Sequence, residues 1–142
     1  MRALGIDFGS VRVGLALGDE IGMLATPLEV VPAKEALARI VAIVAERQVD
    51  TIVLGMPRNM NGTYGPAAEA VRRFGETLAA RVPARVEFWD ERLTTRFVER
   101  MMIEADLSRK RRREVVDKLA AQQILQCWLD AQEARREPPC ED

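Results

Sequence analysis

The sequence predicts an α/β fold in which a mixed five-stranded sheet is flanked by helices. The first part of the chain contains three short apolar segments separated by turn residues, which is typical of an antiparallel meander. Beyond it, stretches with apolar residues at helical spacing alternate with short apolar runs, as in parallel strand-helix units. The predicted order is therefore βββαβαβαα. We expect one domain over residues 1–136 and a disordered tail over residues 137–142.

The meander begins with an apolar strand over residues 3–7 that ends abruptly at an aspartate. A tight turn with a Gly-Ser sequence then leads into a second alternating strand over residues 12–18. We predict a third strand over residues 28–31, bounded by Pro27 and Pro32, because proline is tolerated only at a strand end or a sheet edge.

The alternating part starts with apolar residues at helical spacing over residues 36–44, followed by a wholly apolar strand over residues 51–54. Residues 58–65 form a loop by their Asn-Gly and Gly-Pro sequences, and Pro66 suits the first position of the next helix. The remaining predicted elements are a strand over residues 85–89, a helix over residues 94–105 and a helix over residues 112–134.

Composition excludes several classes of function. The chain has no histidine, which excludes imidazole bases, Ser-His-Asp triads and His-rich metal sites, and leaves carboxylates with hard divalent cations as the favoured chemistry. Cys127 and Cys140 have neither CxxC nor zinc-ligand spacing, so we expect no disulfide framework and no structural metal. No apolar run approaches the roughly 18 residues of a membrane span, and we expect a cytoplasmic protein without membrane contact.

Positive charge is concentrated in one part of the chain. The net charge is −1, but the segment from Arg92 to Arg113 contains eight basic and three acidic residues. A local basic zone on a mildly acidic body can bind a polyanion, so we expect nucleic acid as the partner.

Three carboxylates are the candidate catalytic residues. Asp7 ends an apolar strand before a glycine turn, and the carboxyl end of a central strand is where α/β sheets bind ligands. Glu91 lies two residues past the predicted end of the last strand. Asp117 heads a core-facing stripe of the last helix, where a buried carboxylate needs a cationic partner. Three such acids are what a Mg²⁺ or Mn²⁺ site requires.

Each acid also has a structural interpretation. Asp7 could cap the following turn, and Glu91 could pair with Arg92 or Arg96 on the surface. Asp117 could pair with a neighbouring arginine. The metal interpretation is favoured because three separate elements deliver the acids together.

Four motifs lie in order along about residues 1–130. They are GIDFGSVRVG at 5–14, GMP with MNGT at 55–57 and 60–63, DERLTT at 90–95, and DKLAA with IL at 117–121 and 124–125. Together these motifs resemble the YqgF/RuvX family, although Phe97 departs from the pattern, because a small residue is expected there. The resemblance implies a ribonuclease H-like fold related to Holliday junction resolvases. It also implies a nuclease of 5′-end maturation of precursor 16S ribosomal RNA, although some members are assigned to Holliday junction resolution.

The resemblance assigns Asp7, Glu91 and Asp117 to the metal-binding acids. With two ions about 4 Å apart, one would activate water and the other would stabilise the leaving oxygen of the phosphodiester. Arginine forks and backbone N–H groups near the acids could hold flanking phosphates, although each is equally a surface residue or part of a plain turn. The candidate substrate-binding residues are Gly9, Ser10, Arg12, Asn59, Arg92, Thr94, Arg111, Arg112 and Lys118.

Several alternatives stay open at this point. The N-terminal hairpin also resembles the phosphate-binding loop of actin-like ATPases and sugar kinases, but those enzymes need two such domains. A non-catalytic RNA-binding processing factor would keep the fold, with or without the metal. A junction resolvase would work as a homodimer with two sites, whereas an RNA nuclease could act as a monomer, so structured or branched DNA remains a possible substrate.

Overall fold

The computed structural model describes residues 2–57, 65–90 and 109–136, with side chains given for residues 119–133 of the last helix. The predicted helix over residues 94–105 and the predicted tail lie outside the described residues. The elements are β1 (Ala3–Phe8), β2 (Arg12–Gly18), β3 (Ala25–Pro32), α1 (Ala33–Arg47), β4 (Thr51–Met56), α2 (Pro66–Ala79), β5 (Arg85–Asp90) and α3 (Arg109–Arg136).

The five strands form one mixed sheet in the order β3-β2-β1-β4-β5. The pairs β1–β2 and β2–β3 are antiparallel, whereas β1–β4 and β4–β5 are parallel. The predicted meander followed by alternating units is therefore confirmed. β1 lies at the centre, and the carboxyl ends of β1, β4 and β5 meet at one edge of the sheet.

The predicted boundaries of β3 were wrong at its start. The strand begins at Ala25, and Pro27 lies within it, paired with Ala16. Proline is tolerated there because β3 is an edge strand with no neighbour on its outer side. A register shift between Leu15 and Ala16 adds one residue to β3, a bulge of the kind that sheet edges favour.

The predicted bounds of β2 and the start of α2 at Pro66 are confirmed, and the other described boundaries differ by at most three residues. β4 extends to Met56, and β5 extends to Asp90, which puts Glu91 directly after the strand. The last helix begins at Arg109 and not at Arg112, so the basic run forms its first turns instead of a preceding loop. In the ranges that the structure describes, no helix is both long and apolar enough to cross a membrane.

The two faces of the sheet have different cores. On one face, helices α1 and α2 pack on large side chains such as Leu4, Ile6 and Leu54. On the other face, α3 packs on small residues that include Ala3 and Ala16. Small residues allow the helix backbone to approach the strands closely, and the large side chains of this core come from the apolar side of α3. The α3 residues of this core are Ala121, Ile124, Leu125, Trp128 and Leu129.

The closest approach is at Gly5, in the middle of β1. A Cβ on Gly5 would lie 2.6 Å from the Cβ of Leu125 and 2.8 Å from the carbonyl oxygen of Ala121. Further along α3, the Cδ1 of Leu129 lies 3.7 Å from the position of a Cβ on Gly18, next to Ala3. The helix therefore runs antiparallel to β1, and its N-terminal half points to the carboxyl end of that strand.

Two glutamines attach α3 to the start of the edge strand. The backbone N–H of Ala25 donates to Oε1 of Gln126 at 2.9 Å, and Nε2 of Gln122 donates to the carbonyl oxygen of Ala25 at 3.0 Å. Nε2 of Gln126 also donates to the carbonyl oxygen of Met23 at 2.9 Å. These bonds fix the helix along its axis as well as against the sheet.

We expect Gly5→Ala to lower the free energy of unfolding by about 3 kcal/mol, because its Cβ would overlap α3 backbone that cannot move alone. The measurement is urea unfolding followed by circular dichroism. Gly18→Ala is the matched control, since its nearest atom would lie 3.4 Å away. Equal losses for the two variants would contradict the close contact.

The loop between β2 and β3 makes a pH-dependent contribution to the stability of the fold. Oδ1 of Asp19 accepts hydrogen bonds from the N–H groups of Met23 at 2.8 Å, Gly22 at 2.8 Å and Leu24 at 3.3 Å. These bonds, that of Met23 foremost, lower the pKa of Asp19 below its ordinary value. The stabilisation is therefore complete above the ordinary carboxyl pKa and is lost as the pH falls through the lower folded value.

We expect wild type to be more stable than Asp19→Asn at neutral pH, and this advantage to shrink on acidification. Urea unfolding of both proteins at neutral pH and near pH 3 measures it. An advantage that stays constant over this range would show that the carboxylate does not titrate against these N–H groups.

Candidate active site

Asp7 lies at the carboxyl end of the central strand and faces α3. Side chains alternate along a strand, and Ala3 and Gly5 of β1 both contact α3, so Asp7 points to the same face. The residue is half-buried. A carboxylate held at this point is accessible from the strand edge and oriented by the sheet.

The backbone of α3 brings position 117 level with Asp7. Ala121 touches Gly5, and one helical turn from 121 back to 117 covers about 6 Å. Two residues of β1, from Gly5 to Asp7, cover a nearly equal distance of about 6.6 Å in the same direction. The Asp117 backbone thus lies on the sheet-facing side of α3 at the level of Asp7, while its side chain is outside the described ones.

The third predicted acid, Glu91, lies outside the described residues, but the strand that leads to it is described. β5 ends at Asp90 at the same edge as β1, because both strands are parallel to β4. Trp89 packs on the α3 face of the sheet. Asp90 lines a pocket with Arg72 of α2 on the opposite face.

Glycines flank Asp7 on the neighbouring strands, a feature that sequence reasoning missed. Gly14 of β2 pairs directly with Asp7. On the other side, Ile6 pairs with Leu54, so Gly55 is the next residue of β4 beside Asp7. Both glycines lie on buried strands, so no side chain of β2 or β4 stands directly beside the carboxylate. A glycine inside a strand is a recognised indication of such a close approach, and it could have identified these positions.

The Gly9-Ser10 turn is a tight hairpin connection. The N–H of Gly9 donates to the carbonyl oxygen of Arg12 at 2.9 Å, and a Cβ on Gly9 would lie 2.5 Å from that oxygen. The Gly9 N–H is therefore used within the turn. Ser10 is exposed, and Arg12 is half-buried at the start of β2.

The other predicted substrate-binding residues are only partly described. Asn59, Arg92 and Thr94 lie outside the described residues. Arg111, Arg112 and Lys118 lie on α3, where the backbone alone is described. Among the side chains given for residues 2–57, 65–90 and 119–133, no three acidic, histidine or cysteine groups come together as a metal site. Glu91 and the Asp117 side chain lie outside these ranges.

A polar contact between α3 and β5 holds the helix against the outer parallel strand of the sheet. Nε1 of Trp128 donates to Oε2 of Glu87 at 2.7 Å, and Oε1 of Glu87 accepts from Arg85 at 2.8 Å. The Trp128 ring is buried between helix and sheet. This bond connects α3 to β5, and the two glutamines connect it to β3, the outermost strand on the other side of β1.

Comparison with known proteins gives one family. The family model described as RuvX, Holliday junction resolvase, matches residues 1–131. A protein of Symbiobacterium thermophilum named "Putative pre-16S rRNA nuclease" is 51% identical over 142 residues, covering 98% of this chain and 97% of the relative. One of the same name from a Geobacillus species is 47% identical over 138 residues, covering 94% and 100%.

The fold is confirmed by a solved structure. Thermus thermophilus RuvC in complex with a Holliday junction substrate has a TM-score of 0.56 at 15% identity and covers 94% of this chain and 96% of that one. RuvC has a ribonuclease H-like resolvase fold, so the predicted fold class is correct.

We expect Trp128→Phe to lower the free energy of unfolding by about 2 kcal/mol, because the N–H that binds a carboxylate is lost and the smaller phenyl ring fills less of the buried space. A double-mutant cycle with Glu87→Gln, measured by chemical unfolding, isolates that bond. A coupling energy near zero would show that the contact does not hold α3.

Proposed function

The chain belongs to the RuvX family of Holliday junction resolvases, and from this premise we propose that it is a metal-dependent nuclease that hydrolyses phosphodiester bonds. We propose further that it acts in 5′-end processing of precursor 16S ribosomal RNA, as the names of its curated relatives suggest. Such a substrate would place it in the cytoplasm. The sugar-kinase alternative is set aside because the family match covers nearly the whole chain.

The observation that carries the proposal is the position of Asp7. It is a half-buried carboxylate at the carboxyl end of the central strand, level with the turn of α3 that carries Asp117. β5 ends at the same edge of the sheet, and its last residue, Asp90, precedes Glu91 in the sequence. A structural role as a turn cap does not explain why the two strands beside Asp7 have glycine there.

Asp7, Glu91 and Asp117 would hold the divalent cations, a pair of Mg²⁺ or Mn²⁺ ions as expected from the sequence. Carboxylate oxygens suit such hard cations, and Gly14 and Gly55 place no side chain against the Asp7 carboxylate. When bound, the ions supply an activated water and stabilise charge on the leaving oxygen. β1 fixes the backbone of Asp7 in the centre of the sheet, so a rigid element would present this carboxylate to the ions.

The basic residues would bind the nucleic acid. Arg12 begins β2, two residues before Gly14, which pairs with Asp7, and the run that includes Arg111 and Arg112 begins α3, less than two turns before Asp117. We propose that these groups, with Lys118, Asn59, Arg92, Thr94 and the Ser10 turn, contact phosphates next to the bond that is cut.

Holliday junction resolution is the second candidate, and the family description and the RuvC-like fold favour it. It differs from RNA processing in a testable way, since paired cuts need two sites on a symmetric dimer. A non-catalytic RNA-binding factor is the third candidate, because intact acids alone do not give turnover.

The decisive experiment is a cleavage assay on labelled single-stranded RNA, a precursor ribosomal RNA 5′ leader and a four-way DNA junction, with Mg²⁺, Mn²⁺ or chelator. We expect Asp7→Asn to lower cleavage by more than the roughly 10- to 100-fold that loss of a residue behind a metal ligand costs. Asp130→Asn is the matched control, since it removes one exposed carboxylate at the far end of α3.

Each outcome separates the candidates. Metal-dependent cutting of the leader that Asp7→Asn abolishes supports the proposal, and selective paired cuts in the junction by a dimer would favour the resolvase. Folded wild type that binds RNA but cuts none of the three substrates would leave the RNA-binding factor.

A further inference from the structure

A second site lies on the face of the sheet opposite α3, at the ends of β4 and β5. It is an open pocket of about 270 Å³ lined by Met56, Arg72, Phe88 and Asp90. Met56 and Asp90 are paired in the parallel register, so the pocket lies at the same sheet edge as the candidate active site. Asp7, the one proposed catalytic residue whose side chain is described, is not among the described lining residues.

The Phe88 ring is seated on α2 and remains accessible. A Cβ on Gly75 would lie 2.8 Å from Cζ and 3.0 Å from Cε1 of that ring. Glycine is unfavourable inside a helix, and here it makes room for the aromatic side chain. Even so, Phe88 is 43% exposed, which is unusual for a phenylalanine packed against a helix.

The pocket combines this ring with groups of both charges. Arg72 is half-exposed and lies 3.6 Å from Glu69, which also pairs with Arg73 at 3.5 Å. Asp90 follows Phe88 by two residues on the same face of β5, and a carboxylate has acceptor sites beyond those that one partner uses. The site therefore offers a stacking surface, a cation and an acceptor.

We infer that the pocket binds one unpaired nucleobase of the nucleic acid, an inference that rests on the proposed function. The base stacks on Phe88, its amino or imino groups donate to Asp90, and Arg72 binds the attached phosphate. A bare phosphate fits less well because Asp90 repels it, and a purely apolar ligand would leave both charges unmatched. The volume is just below the roughly 300–1,000 Å³ of sites for larger small molecules, which suits a single base.

The location gives this pocket a role in substrate choice. β5 is two strands from β1, or about 10 Å, so the bound base belongs to a nucleotide that flanks the cleaved bond. A paired base cannot enter such a pocket without leaving its stack. The enzyme would thus prefer cleavage points beside a single-stranded nucleotide.

The test measures binding in chelator, by fluorescence anisotropy of a labelled single-stranded RNA and of the same sequence as a duplex. Removing a stacking ring weakens binding by about 5- to 150-fold. We expect Phe88→Leu, which keeps apolar bulk, to weaken single-strand binding at least about fivefold and to leave duplex binding unchanged.

Arg72→Ala should weaken single-strand binding more than Arg73→Ala. The two arginines are adjacent on α2 and share Glu69, but only Arg72 is among the described residues that line the pocket. Circular dichroism and chemical unfolding establish that each variant is folded.

Three results would overturn the inference: equal losses for the two arginine variants, no loss for folded Phe88→Leu, or no measurable single-strand binding by wild type. Because no metal is present, the outcome is independent of cleavage. Phe88-dependent binding without cleavage would contradict the proposed nuclease activity and support the nucleobase pocket. Cleavage with Phe88-independent binding would support the nuclease activity and contradict the pocket.

Discussion

The contact between Gly5 and the backbone of α3 is the constraint on which the rest of the molecule depends. Leu125 and Ala121 come so close to β1 that no side chain fits between them. The contact sets both the height of the helix above the sheet and its direction along the strand. Since Asp7 lies two residues further on, the same contact decides which turn of α3 faces it.

Hydrogen bonds to the two outer strands of the sheet complete the placement of α3. Gln122 and Gln126 bind the edge strand β3, and Trp128 binds Glu87 of β5 on the other side. Apolar packing alone would let a helix slide over a surface of small residues. The polar contacts prevent this sliding. The proposed site requires a fixed helix position, because it is assembled from a strand and a helix.

The sequence was sufficient for the fold class and for the position of Asp7 near the end of β1, because hydrophobic periodicity and a charge at the end of an apolar run are local properties. It was insufficient for the start of β3, since only the tertiary structure makes Pro27 an edge residue. The glycines beside Asp7 needed the strand register to acquire a meaning. Phe88 resembles a core residue in its alternating strand, and its exposure depends on how α2 leaves the pocket open.

The pairing of α3 with β1 and β3 also has a consequence for the order in which the protein forms. Gln126 binds Ala25 across 101 residues of sequence, whereas β1, β2 and β3 are joined by short turns. Local pairings form early and distant ones late, so the meander can fold while the C-terminal part is still being synthesised. The proposed site at Asp7 would then stay incomplete until α3 has left the ribosome. A nascent chain would carry the scaffold of a nuclease without its activity.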